Sequence, residues 1–215
     1  MAAAFDAYSV GTATPQAHTC SGSDRCLAVE VISTNNPTDV TYNGVSMGAA
    51  NYSGTVFGGI RRNIYVLKNP ASGANNIVVT GSIGTLYLII ACSATGIDQT
   101  TTIRTNGALV NVTGNTTISA AVTSESGDLV IDWLIFDATA DPVTTAGDAN
   151  HTNRYYEAGG VALGTTIAND TSTTVTYTWD GNDDASVVTL ALIPASGGGG
   201  GVPIAALTFF AEAMA

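Results

Sequence analysis

The stretch DLVIDWLIFDA (residues 128–138) is the strongest strand signal in the chain. Apolar side chains occupy both odd and even positions of this run. Because successive side chains of a strand point to opposite faces, the pattern predicts a strand that is covered on both faces, by the chain itself or by a neighbouring subunit. LYLIIACSA (86–94) and SVVTLALIP (186–194) have the same character. These three runs indicate the centre of a β-sheet core.

Shorter runs rich in Val, Ile, Thr and Tyr follow one another along the chain, separated by Gly, Asn, Asp and Pro. In TTVTYTW (173–179), Val175, Tyr177 and Trp179 are expected on one face. Asn43-Gly44 predicts a hairpin turn, since both residues tolerate positive φ. The other runs are CLAVEVIS (26–33), VTYNGVSM (40–47), RNIYVLKN (62–69), NIVVTG (76–81), ALVNV (108–112), TTISAAV (116–122) and RYYEAG (154–159). Roughly eight to ten strands at this spacing predict an all-β sandwich or barrel.

Charge excludes several classes of partner. Only 11% of the residues are charged, and the net charge is −11 with six Lys and Arg residues. Nucleic-acid binding requires a cationic surface that this composition does not supply, and binding to an anionic membrane is disfavoured for the same reason. A polar surface built from Thr, Ser, Asn and Gly is typical of extracellular and virion β-proteins.

Neither an export signal nor a membrane span is predicted. The start, MAAAFDAYSV, has no Lys or Arg before an apolar run, unlike a secretory signal peptide. No run reaches the roughly 20 apolar residues that cross a bilayer. We therefore expect a protein that is assembled in a host cytoplasm and released by lysis, as a virus particle is.

The C-terminal sequence GGGGGVPIAALTFFAEAMA (197–215) predicts a separate docking unit. Residues 1–16 are expected to form an N-terminal arm or edge strand, 17–196 the sandwich domain, 197–201 a flexible glycine linker and 202–215 an apolar tail. A helix over 205–214 is too short to be stable alone in water, so order must come from docking. The tail packs either on its own sandwich or on another subunit or shell protein. Its predicted docking residues are Ile204, Leu207, Phe209, Phe210 and Met214.

Cysteines and histidines give little indication of chemistry. Cys20 and Cys26 either bridge a turn or stay reduced, and Cys26 and Cys92 are predicted to be small buried residues in strands. His18 is expected in the turn before the first core strand and His151 in a polar loop. Neither histidine has a partner at the spacing of a metal site, and no nucleophile or phosphate-loop motif is present.

Carboxylates gather in two places. Asp137, Asp141 and Asp148 lie in one acidic stretch, and glycoside hydrolysis would need such groups held across a cleft. Asp180, Asn182 and Asp184 resemble the first half of a calcium loop, but Ala185 and Ala191 stand where that loop needs Gly and Glu. The other interpretation of 180–184 is a β-turn between two strands. We expect no cofactor, no metal as the main interpretation, and no enzymatic activity.

Aromatic residues offer an alternative binding chemistry. Trp133 lies in an apolar run and is predicted to belong to the core, whereas Trp179, Tyr155 and Tyr156 are further candidates for stacking on a sugar. Because adjacent strand residues point to opposite faces, at least one of the two tyrosines is expected to be exposed. Tyr155 and Tyr156 are therefore the predicted contact with a glycan or a partner.

The ordered motifs of the chain resemble a family of β-sandwich domains of phage structural and tail-associated proteins and bacterial surface proteins, mostly without assigned function. The resemblance spans about residues 17–200 and rests on these stretches: AHTCSGSDRCLAVEV (17–31), TDVTYNGVSM (38–47), IYVLKNPASGANNIVVT (64–80), SATGIDQTT (93–101) and VTLALIPASGGGG (188–200). It implies a jelly-roll-like antiparallel sandwich that serves as a structural or adhesive module. The apolar tail after the glycines is particular to this chain.

The sequence supports two alternative functions. The first is a structural virion protein, of the capsid decoration, cement or fibre type, that oligomerises and docks on a major capsid or other virion protein through its tail. A homotrimer is favoured by resemblance to jelly-roll virion proteins. The second is a carbohydrate-binding or adhesin module on a virion or cell surface, with a host-surface glycan as partner.

Overall fold

A computed structural model describes residues 1–107, 109–136, 150–157 and 160–196, and the backbone of 142–144. Apart from one 3-10 turn at Phe57–Gly59, the regular structure in these ranges consists of sixteen strands. They are β1 (Ala4–Gly11), β2 (Gln16–Cys20), β3 (Cys26–Ser33), β4 (Asp39–Tyr42), β5 (Val45–Ser46), β6 (Tyr52–Thr55), β7 (Arg61–Lys68), β8 (Gly73–Thr80), β9 (Leu86–Thr95), β10 (Ile103–Asn106), β11 (Val110–Thr123), β12 (Leu129–Phe136), β13 (Pro142–Thr144), β14 (His151–Glu157), β15 (Val161–Ile167) and β16 (Ser172–Leu192).

The strands form three sheets. The outer sheet has the order β2-β8-β4-β5, and the central sheet has the order β1-β9-β3-β7-β6. The long sheet has the order β10-β16-β12-β15-β14, with β11 and β13 also paired to β16. Every pairing is antiparallel. The predicted fold class, an all-β antiparallel sandwich, is confirmed. No helix in the ranges given above is long and apolar enough to cross a membrane.

The central sheet is buried on both faces because its strands alternate between two cores. In β3, Leu27, Val29 and Val31 pack with residues of the outer sheet such as Tyr42 and Ile77. The intervening residues of β3 pack against the long sheet, in a core shared with Leu129, Ile131 and Trp133. The same alternation in β9 explains why LYLIIACSA is apolar at both odd and even positions.

Strand β12 is also covered on both faces, and here the chain covers itself. Its odd-numbered residues face the central sheet. Its even-numbered residues Leu134 and Phe136 pack beneath what we call the folded-back layer, residues 117–123 of β11 and 172–179 of β16. The prediction of a central strand covered on both faces is confirmed for Leu129–Phe136, and residues 137 and 138 lie outside the described residues. Val175, Tyr177 and Trp179 share the buried face of the folded-back layer, as predicted.

The predicted turn at 180–184 is wrong, because β16 runs unbroken from Ser172 to Leu192. The polar residues of this stretch form a bulge within the strand. Asn115 lies opposite Asp183 and Thr117 opposite Thr178, so that Thr116 faces residues 179–182. Gly181 supplies the positive φ of 82° that this bend requires. Residues 110–112 and 116–122, predicted in two separate runs, likewise belong to the single strand β11.

A hairpin turn and a pair of long-range hydrogen bonds connect segments outside the strand ladders. Asn43 and Gly44 have φ of 51° and 74°, the values of a type I′ hairpin turn, as predicted. The backbone N–H of Ala195 donates to the carbonyl of Gly96 at 2.7 Å, and the amino group of Met1 donates to the carbonyl of Ala195 at 3.0 Å. The chain's first residue and the end of its sandwich therefore meet at one pole.

One buried arginine joins the central and long sheets. Arg62 of β7 pairs with Glu30 of β3 at 2.5 Å, and both side chains are fully buried. The remaining guanidinium nitrogens cross to the long sheet. Nη1 donates to the carbonyl of Ser186 at 2.9 Å and Nη2 to the carbonyl of Trp133 at 3.0 Å. Arg62 is therefore a buried polar connection between the two sheets.

Candidate functional site

Aromatic side chains and one arginine meet where the edges of two sheets face each other. Strand β1 is an edge of the central sheet, and β14 is an edge of the long sheet. The rings of Tyr8 and Tyr155 lie 5.6 Å apart, centroid to centroid. The Arg154 guanidinium carbon lies 4.2 Å from the centroid of the Phe5 ring. We call Phe5, Tyr8, Arg154 and Tyr155 the aromatic edge.

A bulge in β1 places Phe5 and Tyr8 on the same face. The register shifts between Phe5 and Ala7, so that Phe5 lies opposite Ala94 and Tyr8 opposite Cys92. Ala94 and Cys92 both face the long sheet. In a regular strand, residues three apart point to opposite faces. The extra residue at position 6 therefore aims Tyr8 at β14, as edge bulges commonly re-aim side chains.

A second bulge in β14 positions the arginine. Asn153 lies opposite Gly164 and Tyr155 opposite Leu163, which leaves Arg154 as the extra residue. Leu163 faces the central sheet, and Tyr155 packs on the same core. Arg154 Nε donates to Thr165 Oγ1 at 2.7 Å. This bond and the Phe5 ring hold the guanidinium in one orientation.

A cavity of about 270 Å³ opens beside Arg154. Phe5, Leu129 and Ile167 line it with apolar side chains, and Arg154 and Thr165 supply polar groups. The remaining lining residues are Ala3, Ala4, Asn150 and Thr152. Among the residues that the structure describes, no carboxylate lies within ion-pair distance of Arg154. Burial lowers the pKa of Arg154, because desolvation disfavours the charged form of the side chain. The cavity therefore presents a fixed cation to an incoming anion.

The two adjacent tyrosines are placed on opposite faces of the long sheet. Tyr155 is half-buried and donates its hydroxyl to Glu157 at 2.7 Å. Burial is the main cause that raises the pKa of Tyr155 to about 12, and this hydrogen bond is the second. Tyr156 lies opposite Ala162, is 39% exposed, and points away from the aromatic edge. The two tyrosines therefore do not belong to one contact surface.

Both tryptophans are buried. Trp133 lies in the core between the central and long sheets, as predicted. Trp179 lies in the folded-back layer with its ring 5.2 Å from that of Phe136 in an edge-to-face arrangement. Trp179 is therefore not available to stack on a sugar, contrary to one sequence-based expectation.

His151 is not in a loop, because it begins β14 and faces the buried carboxylate of Asp132. Its Nε2 lies 3.2 Å from Asp132 Oδ2, and the hydroxyl of Tyr177 donates to the other oxygen. Gly164 leaves the space for this cluster, since a Cβ at that position would lie 2.2 Å from His151 Nε2. Burial and the charge of Asp132 raise the pKa of Tyr177 well above 10. The cluster links β12 to the folded-back layer, within the protein interior.

His18 lies in β2 and not in a turn. It is 3% exposed, and its Nδ1 lies 2.9 Å from Ser9 Oγ. Nε2 has no hydrogen-bond partner in the described ranges. Burial lowers the pKa of His18 to about 4, although the nearby Asp6 carboxylate acts in the opposite direction. The imidazole is therefore held neutral between the central and outer sheets.

The alternative of a bridge between Cys20 and Cys26 is wrong, because both thiols are free. Cys20 packs in the core below the outer sheet, whereas Cys26 packs in the core on the opposite face of the central sheet. The backbone of β3 separates them. Cys26 and Cys92 are buried as predicted, and burial raises the pKa of Cys26 to about 12.

The calcium candidate forms part of the bulge in β16. Asp180 and Asn182 are exposed, and Asp184 Oδ1 accepts the backbone N–H of Gly114 at 2.9 Å. In the part of the chain that the structure describes, no group of three or more His, Cys, Asp or Glu side chains is arranged to hold a metal ion. Asp137, Asp141 and Asp148 lie outside the described residues, as do the linker and the tail with Ile204, Leu207, Phe209, Phe210 and Met214.

Comparisons of this chain with protein-family models, with curated proteins and with solved structures give no match.

Proposed function

We propose that this chain is a structural virion protein, of the decoration, cement or fibre type, that attaches to a shell protein through its C-terminal tail. The observation that carries the proposal is the end of the sandwich at Ala195, which is hydrogen-bonded to Gly96 and to Met1. The glycine linker follows directly from this fixed pole, and an apolar segment follows the linker. A tethered apolar segment gains affinity from the high local concentration of neighbouring subunits.

Further support comes from composition and resemblance. The sparsely charged surface is typical of virion β-proteins, and the motif order resembles phage structural domains. The resemblance favours a homotrimer that assembles in the host cytoplasm and lies on the particle surface. The shell partner is a major capsid protein or another virion protein.

Removal of the tail is expected to abolish attachment without unfolding the sandwich. Every described strand lies within residues 1–196, so a chain ending at residue 196 retains all the described cores. In light scattering it should keep the mass of the full-length oligomer, while its binding to shell particles that lack the protein should fall at least tenfold. Replacing Phe209 and Phe210 together with Ser in the full chain should have the same effect.

Thr208→Ser is the matched control for the phenylalanine variant, since it lies in the same segment and removes only a methyl group. It should bind particles as the unaltered chain does. Undiminished particle binding by the chain ending at residue 196 would contradict the proposal.

The aromatic edge favours a second candidate function, a carbohydrate-binding or adhesin module. Sugar rings stack on aromatic faces and bury their carbon–hydrogen surface there, while their hydroxyls bond to neighbouring polar groups. Tyr8 is 44% exposed beside Tyr155, and Thr152 and Thr165 offer hydroxyls in the adjoining cavity. The candidate partner is a host-surface glycan.

Tyr8→Ala is expected to reduce glycan binding at least tenfold, because it removes the exposed ring of the aromatic edge. The measurement is binding of full-length protein to a glycan array, followed by titration calorimetry with the strongest ligand. Tyr156→Ala is the matched control, since it removes a tyrosine of similar exposure from the opposite face. Equal losses in both variants would place the glycan contact elsewhere.

A further inference from the structure

We propose that the cavity beside Arg154 binds the carboxylate of a single acidic sugar residue within an otherwise neutral glycan. This inference rests on the second candidate function and specifies the chemical class of its ligand. It concerns the cavity lined by Phe5, Arg154 and Thr165 and not the exposed ring of Tyr8.

The orientation of Arg154 is suited to a carboxylate. Nε is occupied by Thr165 Oγ1 at 2.7 Å, and the guanidinium lies over the Phe5 ring. Within the described ranges, no hydrogen bond uses Nη1 or Nη2 of Arg154. A planar guanidinium with two parallel N–H groups matches the two oxygens of a carboxylate. Because the bond and the ring already fix the side chain, binding costs little additional conformational entropy.

The size and lining of the cavity are suited to one sugar ring. Its volume of about 270 Å³ lies near the lower limit of roughly 300 Å³ for small-molecule pockets. Phe5, Leu129 and Ile167 supply carbon surface for a ring face, and Thr152 supplies a hydroxyl at the rim. Tyr8 and Tyr155 continue the edge beyond the cavity, where the next sugar of the chain would lie.

The charge of the whole protein restricts the ligand further. At a net charge of −11, a densely anionic polymer would be repelled. An isolated carboxylate experiences mainly its nearest cation, since charges farther than about 8 Å are screened at physiological ionic strength. Arg62 and Arg104, by contrast, are already paired with Glu30 and Asp128. The expected ligand is therefore a neutral oligosaccharide with one acidic residue.

The test uses two forms of one oligosaccharide that differ only at the terminal sugar, glucuronic acid in one and glucose in the other. Titration calorimetry with the full-length protein should show tighter binding of the acidic form, by roughly tenfold to a hundredfold, the range of charge-assisted hydrogen bonds. Arg154→Gln should remove this preference and leave the affinity for the neutral form unchanged. Arg154→Lys should retain part of it, because lysine keeps the charge without the planar pair of donors.

Arg61→Gln is the control, since it removes an exposed arginine of β7 that bonds to Thr55. It should leave both affinities unchanged. If both forms bind equally well and Arg154→Gln has no effect, the acidic-sugar site is overturned while glycan binding stands. If neither form binds, the second candidate function fails with it. If a peptide of residues 202–215 displaces the acidic form, the cavity is a site for the tail, and the inference is likewise overturned.

Discussion

Replacing Arg62 with methionine is expected to lower the free energy of unfolding by about 3–5 kcal/mol, the cost of removing one partner from a buried ion pair. The substitution leaves the Glu30 carboxylate charged and fully buried. It also removes the hydrogen bonds from the guanidinium to the carbonyls of Ser186 and Trp133 in the long sheet. Urea denaturation followed by tryptophan fluorescence measures the change, since Trp133 lies in the same core.

The adjacent Arg61 provides a matched control. It has the same side chain on the same strand, but it is exposed and donates to the Thr55 hydroxyl. Arg61→Met should change the free energy of unfolding by less than about 0.5 kcal/mol, as surface substitutions usually do. A double variant, Glu30→Leu with Arg62→Met, should recover most of the lost stability because it leaves no unpaired charge. Equal effects of Arg61→Met and Arg62→Met would refute the importance of the buried pair.

Acidification from pH 6.5 to pH 4 is expected to destabilise the fold by about 3 kcal/mol through His18 alone. Burial lowers the pKa of this imidazole from 6.5 to about 4 in the folded protein. Between these two values the unfolded chain binds a proton that the folded chain does not, so the free energy of unfolding decreases as the pH falls. The loss is absent above pH 6.5 and complete below pH 4.

Comparison with His18→Gln isolates this contribution from that of the carboxylates. Glutamine does not titrate, and its amide can bond to Ser9, the partner of His18 Nδ1. Chemical denaturation of both proteins between pH 7 and pH 4 should give curves that converge as the pH decreases. If the two curves stay parallel over this range, the pKa of His18 is unperturbed and the imidazole is not confined to its neutral form.

Strands with clear apolar runs could be predicted from the sequence, but whether two neighbouring runs join into one long strand could not. Strand β3 is predicted at its observed bounds because burial on both faces makes CLAVEVIS apolar at both parities. Residues 180–184 were predicted as a turn, since Asp, Gly and Asn also suit a β-turn. The same residues form a bulge because β11 supplies a partner on both sides of them. That partner is set by tertiary structure and leaves no mark on the local sequence.

The candidate site was only partly predictable for a related reason. Tyr155 could be named from sequence as an aromatic residue beside a polar segment. Phe5, Tyr8 and Arg154 could not be named in this way. Bulges in β1 and β14 interrupt the regular alternation of side chains between the two faces of each strand. His18 was predicted in a turn and His151 in a polar loop. They are buried because their partners, Ser9 and Asp132, come from other strands.

The unbroken course of β16 has a mechanical consequence. The last eight residues of this strand pair with β12 from Phe136 opposite Ala185 to Leu129 opposite Leu192, and the linker begins shortly after them. Antiparallel hydrogen bonds lie perpendicular to the strand. If the tail is anchored as proposed, tension along β16 loads these bonds in shear, together and not one after another. The strand that ends at the tether is the one best placed to carry a pulling force into the body of the protein.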